Sequence, residues 1–239
     1  MCTKLQTSFF LLLVMCRLII IPTPIGNLDD ITIRAVKVLS RIDILLAEDT
    51  RTTKKLLNHL SIKVKSVSYH QHNEHKNLQK YIDLIKNHEL VGLVSDAGTP
   101  SISDPGFLLI RECIKNEIIV ECLPGPTALI PALVKSGFPC ENFIFYGFIP
   151  IKKGRKSFLL KVSKEEKTMV FYESPHRLLR TLNDFKEIFN EQRDYSVSKE
   201  ISKIYEETKN GKITDLISYY ETKKIKGEFV IVVNKLSDN

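Results

Sequence analysis

The sequence has no tryptophan, and its five cysteines (Cys2, Cys16, Cys113, Cys122, Cys140) form no CxxC and no paired metal spacing. An odd, scattered set of thiols argues against a disulfide framework and for a reducing compartment, the cytoplasm. No GxGxxG opens a helix and no GxxxxGK[ST] occurs, which excludes ordinary dinucleotide and P-loop sites. HExxH and GxSxG are missing as well. His70 and His72 stand two apart with no obvious third ligand, so no metal site is expected. Uncharged apolar runs fall short of the roughly 18 residues a spanning helix needs, so no membrane partner is expected.

What remains is an ordinary globular composition: 43% apolar and 26% charged residues, with a net charge of +7 and a pI near 9.0. A chain of 239 residues can build one large or two modest cores. The positive balance points to an anionic partner, nucleic acid being the commonest. Most of the cationic excess lies after residue 124, so a docking surface for that partner is expected mainly in the C-terminal half. Residues 9–16 are apolar and resemble a weak secretory signal. That apolar run continues into the first strand, however, and cleavage would trim it closely. The expectation is an extension outside the fold over residues 1–16, a functional start near Met15, and dispensable residues 1–14; export is the alternative.

From residue 17 onward, strand-like segments at 18–21, 44–47, 65–70, 90–94 and 118–123, mostly apolar apart from the polar KSVSYH of 65–70, alternate with segments of helical periodicity. Such alternation with short turns predicts a parallel, doubly wound α/β domain over residues 17–124. Each run ends in a special turn: PTPIGN, EDTR, HQHN, DAGTP and PGPT. On a parallel sheet these ends share one edge, where ligands of open α/β sheets bind. The fourth turn continues as SDAGTPSISDPG, in which Asp104 and Pro105 read as the N-cap and first residue of the next helix. Residues 125–239 predict a second α/β domain with a mixed sheet, its strands near 143–148, 168–172, 194–201 and 227–233. The converging turns offer backbone amides, prolines and carboxylates but no phosphate cradle. They suit a neutral or cationic adenosine-type ligand better than a pyrophosphate.

The series PTPIGNLDDIT, AEDTR, SDAGTPSISDPG, LPGPTA, FYESPHR and GEFV, in that order from Leu18 to Val233, closely resembles bacterial 2′-O-ribose cytidine methyltransferases of small-subunit (16S) ribosomal RNA. These belong to the tetrapyrrole-methylase-like class of enzymes that use S-adenosyl-L-methionine (AdoMet). The resemblance implies a cytoplasmic, two-domain homodimer that binds AdoMet in the cleft between its domains and acts on the 30S subunit or its RNA. By that analogy the AdoMet contacts fall on Pro22, Thr23 and Pro24, on Asp96, Ala97, Gly98 and Thr99, and on Pro124, Gly125, Thr127 and Ala128. Tyr172, Glu173 and Ser174, with Gly227, Glu228 and Phe229, would close the cleft from the second domain. Asp96 would face the ligand while Asp104 serves its helix.

A ribose 2′-hydroxyl is a weak nucleophile at neutral pH, so a positioned base or a cation beside the developing alkoxide would help. Glu48, Asp49, His72, Glu173, Lys199 and Lys203 are the candidates, and the sequence does not choose among them. Lys152, Lys153, Arg155 and Lys156, joined by Arg51 at the cleft edge, are expected to contact RNA phosphates. Two alternatives stay open: a tetrapyrrole (precorrin-type) methyltransferase, and a non-catalytic RNA-binding ribosome assembly factor. The tetrapyrrole enzymes usually carry a glycine-rich GxGPGD-type first turn where this chain has PTPIGN.

Overall fold

The computed structural model describes residues 16–189 and 193–236, without the side chains of 71–73 and 75. The expectations for residues 1–14 therefore lie outside the described residues, and only Cys16 of the extension is seen.

Strands β1 (Arg17–Ile20), β2 (Ile44–Ala47), β3 (Lys65–Ser68), β4 (Leu90–Val94) and β5 (Ile119–Cys122) are interleaved with helices α1 (Ile33–Leu39), α2 (Thr50–His59), α3 (Gln71–Lys86) and α4 (Phe107–Lys115). They form one parallel sheet in the order β3-β2-β4-β1-β5. Alternation along β1 explains its two coats. Leu18 and Ile20 point into a core shared with Ile82 and Ile85 of α3 and Leu109 of α4. Ile19 packs instead with Ala35 and Leu39 of α1 and Leu57 of α2. Strands buried on both faces must be apolar throughout, which is why they read as continuous runs. Because β1 and β4 are neighbours whose following helices coat opposite faces, their C-terminal ends border a topological switch point.

The second half contributes α5 (Leu129–Ser136), β6 (Phe143–Phe148), α6 (Arg155–Val162), β7 (Thr168–Glu173), α7 (Leu178–Ile188), β8 (Tyr195–Lys199), β9 (Glu207–Gly211), α8 (Ile213–Glu221) and β10 (Phe229–Val233). Its sheet runs β6-β7-β10-β8-β9, with β6 and β7 parallel and the remaining pairs antiparallel. The expected pairing of a doubly wound parallel sheet with a mixed sheet is what is found. Helices α6, α7 and α8 bury Leu159, Leu182, Phe185 and Ile217 on one face. Helix α5 covers the other face with Leu129, Ala132 and Leu133, and Ile25 from the PTPIGN turn packs into the same cluster. The first sheet's turn thus reaches into the second sheet's core.

Residues 28–30 form a separate 3-10 turn before α1, which Thr32 caps by accepting from the Ala35 amide at 3.1 Å. The HQHN segment is no turn, because Gln71 already begins α3. Strand β9 (ETKNG) has no apolar alternation that would mark it in the sequence, because it is an edge strand with little to bury.

Candidate active site in the cleft between the sheets

Two turns form the floor of the cleft and are fastened to each other. Thr23 and Gly98 exchange both backbone hydrogen bonds at 2.9 Å, an antiparallel bridge between PTPIGN and DAGTP. The buried Thr23 hydroxyl donates to the Ser95 carbonyl, and the Thr99 hydroxyl donates to the Pro126 carbonyl at the start of the second half. Gly98 sits at φ +82°, a conformation glycine adopts without strain. Farther along the same loop, Ser101 and Ser103 hold φ values of 75° and 65° and Gly106 holds 140°. Non-glycine residues at positive φ cost free energy and persist where the surroundings over-determine them, commonly at binding sites.

This loop lines a cavity of about 390 Å³ between the two sheets, within the size range of small-molecule sites. Asp96, Ala97, Gly98, Thr99, Ser103 and Asp104 form one wall, with Glu48 from the end of β2. Thr127, Ala128, Phe148, Tyr172, Glu173, Ser174, Glu228 and Phe229 form the opposite wall. Phe148 and Tyr172 meet edge to face at 5.7 Å and give that wall an aromatic surface.

The wall is acidic, and among the described residues no lysine or arginine lines the cavity. The Glu48 carboxylate accepts from the Asp96 amide, while Asp96 in turn accepts from the Asp49 amide at 3.0 Å, which ties the ends of β2 and β4 together. Burial raises the proton affinities of Glu48 and Asp96. Asp104 is pushed up to about 7, first by burial and then by the nearby charges of Glu48, Asp96 and Glu228. Crowded carboxylates resist joint ionisation, and a bound cation would relieve that repulsion.

Asp104 corrects the sequence reading. It does not cap α4, whose N-cap is Gly106 with no side-chain cap bond. Glu74 of α3 serves instead: its buried carboxylate accepts from the Leu108 amide at 3.1 Å and from the Tyr69 hydroxyl. With the helix end satisfied from elsewhere, Asp104 belongs to the cavity. Asp-Pro before a helical pattern is a good capping signal; only the succession of left-handed residues 101, 103 and 106, invisible without coordinates, says otherwise.

The other candidates scatter. Glu173 reaches the cavity wall, but its carboxylate is fully buried and committed to Arg177, to the Thr181 hydroxyl and to the Ser174 amide. Lys203 bridges Glu200 and Glu228 at 2.8 and 2.9 Å and lies against Gly26, so it joins the halves beside the cavity. Thr23, Pro24 and Lys203 line an adjoining hollow that shares Asp96, Ala97 and Glu228 with the main cavity. Pro22 is buried behind them against Gly125. Gly227, off the cavity wall, sets the turn that presents Glu228 and Phe229. Lys199 faces a separate hollow with Glu207 and Tyr219. Asp49 caps α2 and is held down to about 2 by the Arg51 guanidinium beside it, so it is unsuited to accept a proton near neutrality. His72 lies in the first turn of α3, its side chain outside the described residues.

Of the basic loop, Lys152, Lys153 and Lys156 are exposed, and the loop leaves the cleft next to Phe148. Arg155 corrects the expectation of an RNA contact: it is 4% exposed, paired with Asp184 at 2.7 Å and bonded to Thr181 and the Pro150 carbonyl. Replacing Arg155 by Ala should cost about 3 kcal/mol of stability, because it strands partners of a buried pair. The check is chemical denaturation, and an unchanged midpoint would return Arg155 to the surface role.

This architecture is shared with solved methyltransferases. A cobalamin biosynthetic enzyme, cobalt precorrin-4 methyltransferase, superposes with a TM-score of 0.68 at 17% identity, covering 92% of this chain and 95% of the other. Uroporphyrin-III-C-methyltransferase from Thermus thermophilus gives 0.64 at 17% identity, covering 92% and 94%. The fold is therefore the one these α/β methyltransferases share. Residues 17–217 match the model of the tetrapyrrole (corrin/porphyrin) methylases, and the chain belongs to that family. Within it, the chain is 46% identical over 220 residues to ribosomal RNA small subunit methyltransferase I of Thermotoga maritima, covering 92% of this chain and 99% of the relative. The enzyme of the same name from Vibrio cholerae is 42% identical over 224 residues, covering 92% and 78%. Among the described residues, no helix is long and apolar enough to cross a membrane.

Proposed function

We propose that the protein is an AdoMet-dependent ribosomal RNA methyltransferase that acts on the 2′-oxygen of a cytidine ribose in small-subunit (16S) RNA. The observation that carries the donor assignment is the acidic cavity. Five carboxylates line it (Glu48, Asp96, Asp104, Glu173, Glu228), of which Glu173 is paired with Arg177 and Glu228 with Lys203, while among the described residues no lysine or arginine lines it. That excess of negative charge fits a ligand with net positive charge, which AdoMet has through its sulfonium and ammonium groups. It does not fit a nucleotide phosphate. The likeness to the named ribosomal RNA enzymes, far above that to the tetrapyrrole enzymes, supports RNA as the acceptor.

The donor supplies a methyl group on sulfur that an oxygen nucleophile can take. The protein's part is alignment, charge and proton transfer. The peptide groups of residues 96–99 and 127–128 offer donors and acceptors to adenine and ribose, and the Phe148–Tyr172 wall offers a stacking surface. Asp104, whose proton affinity in the ligand-free protein is raised first by burial and then by Glu48, Asp96 and Glu228, is the wall carboxylate proposed to accept the 2′-hydroxyl proton. Lys152, Lys153 and Lys156 at the lip fit phosphate contacts. With ribosomal RNA as acceptor, the reaction is a cytoplasmic one. A homodimer is part of the proposal, supported by exposed apolar residues Ile130 and Val134 on α5, whose Lys135 pairs with Glu206, and by exposed Ile204 and Tyr205 just before Glu206; sedimentation velocity at micromolar protein is the check.

Labelled AdoMet, purified protein and 30S subunits should give label that maps to one ribose 2′-oxygen. Label on a base, or on a porphyrin but not on RNA, would overturn the acceptor. Absence of any AdoMet binding by calorimetry would instead favour the silent assembly factor.

A further inference from the structure

The acidic cavity poses a problem for an RNA substrate, because its carboxylates repel the backbone of the molecule whose ribose must enter. The phosphates have to be held by a surface close to the cavity but outside it. The lysines at the lip lie on the second half of the chain. The first half carries a larger feature that sequence reasoning did not assemble.

Helix α2 and the edge strand β3 enclose an open groove of about 620 Å³. Arg51 and Lys54 enter it from α2, and Lys63 and Lys65 enter it from the loop before β3 and from β3 itself. Arg51, Lys54 and Asn58 stand at i, i+3 and i+7, so one face of the helix presents them together. Lys54, Lys63 and Lys65 are exposed, and among the described residues no carboxylate lines the groove. Arg51 is held by Asp49, a carboxylate at the groove's end rather than within it. Asp49 is also the link to the cavity, since its amide donates to the cavity residue Asp96. The basic groove therefore opens at the N-terminal end of α2, one hydrogen bond from the acidic wall. On the helix's other flank Lys55 lines the hollow that shares Asp96 with the cavity. A lysine on an edge strand also discourages strand pairing between molecules. That role gives no reason for Lys54 and Arg51 to converge on the same groove from a helix.

We infer that the α2–β3 groove is the docking track for the phosphodiester backbone of the RNA substrate, delivering the target ribose past Asp49 into the cavity. This rests on the proposed RNA-methylating function and adds the surface that holds the substrate. It moves the main anionic docking site to the N-terminal half, against the expectation from overall charge.

The test is fluorescence anisotropy with a labelled fragment of small-subunit ribosomal RNA, read as a function of salt for the wild type and for the triple variant Lys54→Ala, Lys63→Ala, Lys65→Ala. Each lost phosphate contact reduces the slope of log K against log salt by about 0.7 for single-stranded RNA. The triple variant should therefore lose about 2 from the slope and on the order of 100-fold in affinity at 0.1 M salt. Single Lys→Gln variants should each lose about 0.7, and the triple Lys→Arg variant should keep the wild-type slope. Calorimetric AdoMet affinity should stay unchanged throughout, which verifies the fold. A triple variant that keeps wild-type slope and affinity would overturn the track while leaving the RNA-methylating function standing. A wild type with no salt-dependent RNA binding would overturn both.

Discussion

Replacing Asp104 by Asn should weaken AdoMet binding by about 10- to 100-fold, as expected for losing a charge-assisted contact in a sheltered site. It should also erase the pH dependence of binding near neutrality. In the ligand-free protein Asp104 titrates at about 7, raised by burial and by Glu48, Asp96 and Glu228. A cationic ligand prefers the ionised carboxylate, so wild-type affinity should fall as pH drops from 8 to 6, and binding at pH 7 should release protons. Calorimetry in buffers of different ionisation heat measures that release directly. The opposite sign applies to stability without ligand. A carboxyl whose folded value lies above its unfolded value, about 3.9, contributes stability that is complete below that value. The contribution is lost as pH rises through about 7. The amide of the Asp104→Asn variant cannot ionise, so that protein should melt higher than wild type at pH 8, with the gap narrowing as pH falls and closing at about pH 4. An Asn variant that binds AdoMet as tightly as wild type at pH 8 would remove Asp104 from the site. One that melts lower at every pH would show a structural role instead.

Gly227→Val should be the most damaging single change on the second half's side of the cleft. Gly227 has φ +89°, and a Cβ there would stand 2.4 Å from Glu200 Cδ. Glu200 cannot yield cheaply. Its carboxylate accepts from the Glu228 amide at 2.9 Å and from Lys203, and its own amide donates to the Glu228 carbonyl. Left-handed strain and overpacking together should cost about 2–4 kcal/mol, a fall in melting temperature of about 5–15 °C for a chain of this size. Because Glu228 and Phe229 line the cavity, AdoMet affinity should drop with it. Adding Glu200→Ala should recover part of the stability lost to the clash, and the double-mutant cycle measures that coupling. A Gly227→Val protein that melts within a degree or two of wild type would refute this account of the turn.

Much of the architecture was open to inspection because buried parallel strands must be apolar along their whole length. Leu18–Ile21 and Ile44–Ala47 advertise themselves, and the polar turns that end them mark the edge that lines the cavity. Of the residues that the resemblance implies as AdoMet contacts, 96–99, 127–128, 172–174, Glu228 and Phe229 line the cavity, while Pro22, Thr23, Pro24, Pro124, Gly125 and Gly227 do not. The misreadings share a cause: a polar side chain's role depends on partners distant in sequence. Asp104 looked like a cap because Glu74, thirty residues earlier, supplies the cap. Arg155 looked like one of four equivalent cations until Asp184 and Thr181 claimed it. The groove of Lys54, Lys63 and Lys65 is assembled from two elements, and neither segment alone has a conspicuous run of charge. Strand β9 is silent because an edge that buries little needs no apolar alternation.

The bridge between Thr23 and Gly98 bears on how the site meets its ligand. Two paired backbone bonds, the Thr23 and Thr99 hydroxyl contacts and the left-handed serines lock the loop before anything binds. The ordering entropy of that wall is lost during folding, and encounter with the donor adds little to it. In a receptor assembled in this way, contact energy goes into holding the guest, and variants that slacken the bridge should release it sooner rather than capture it more slowly.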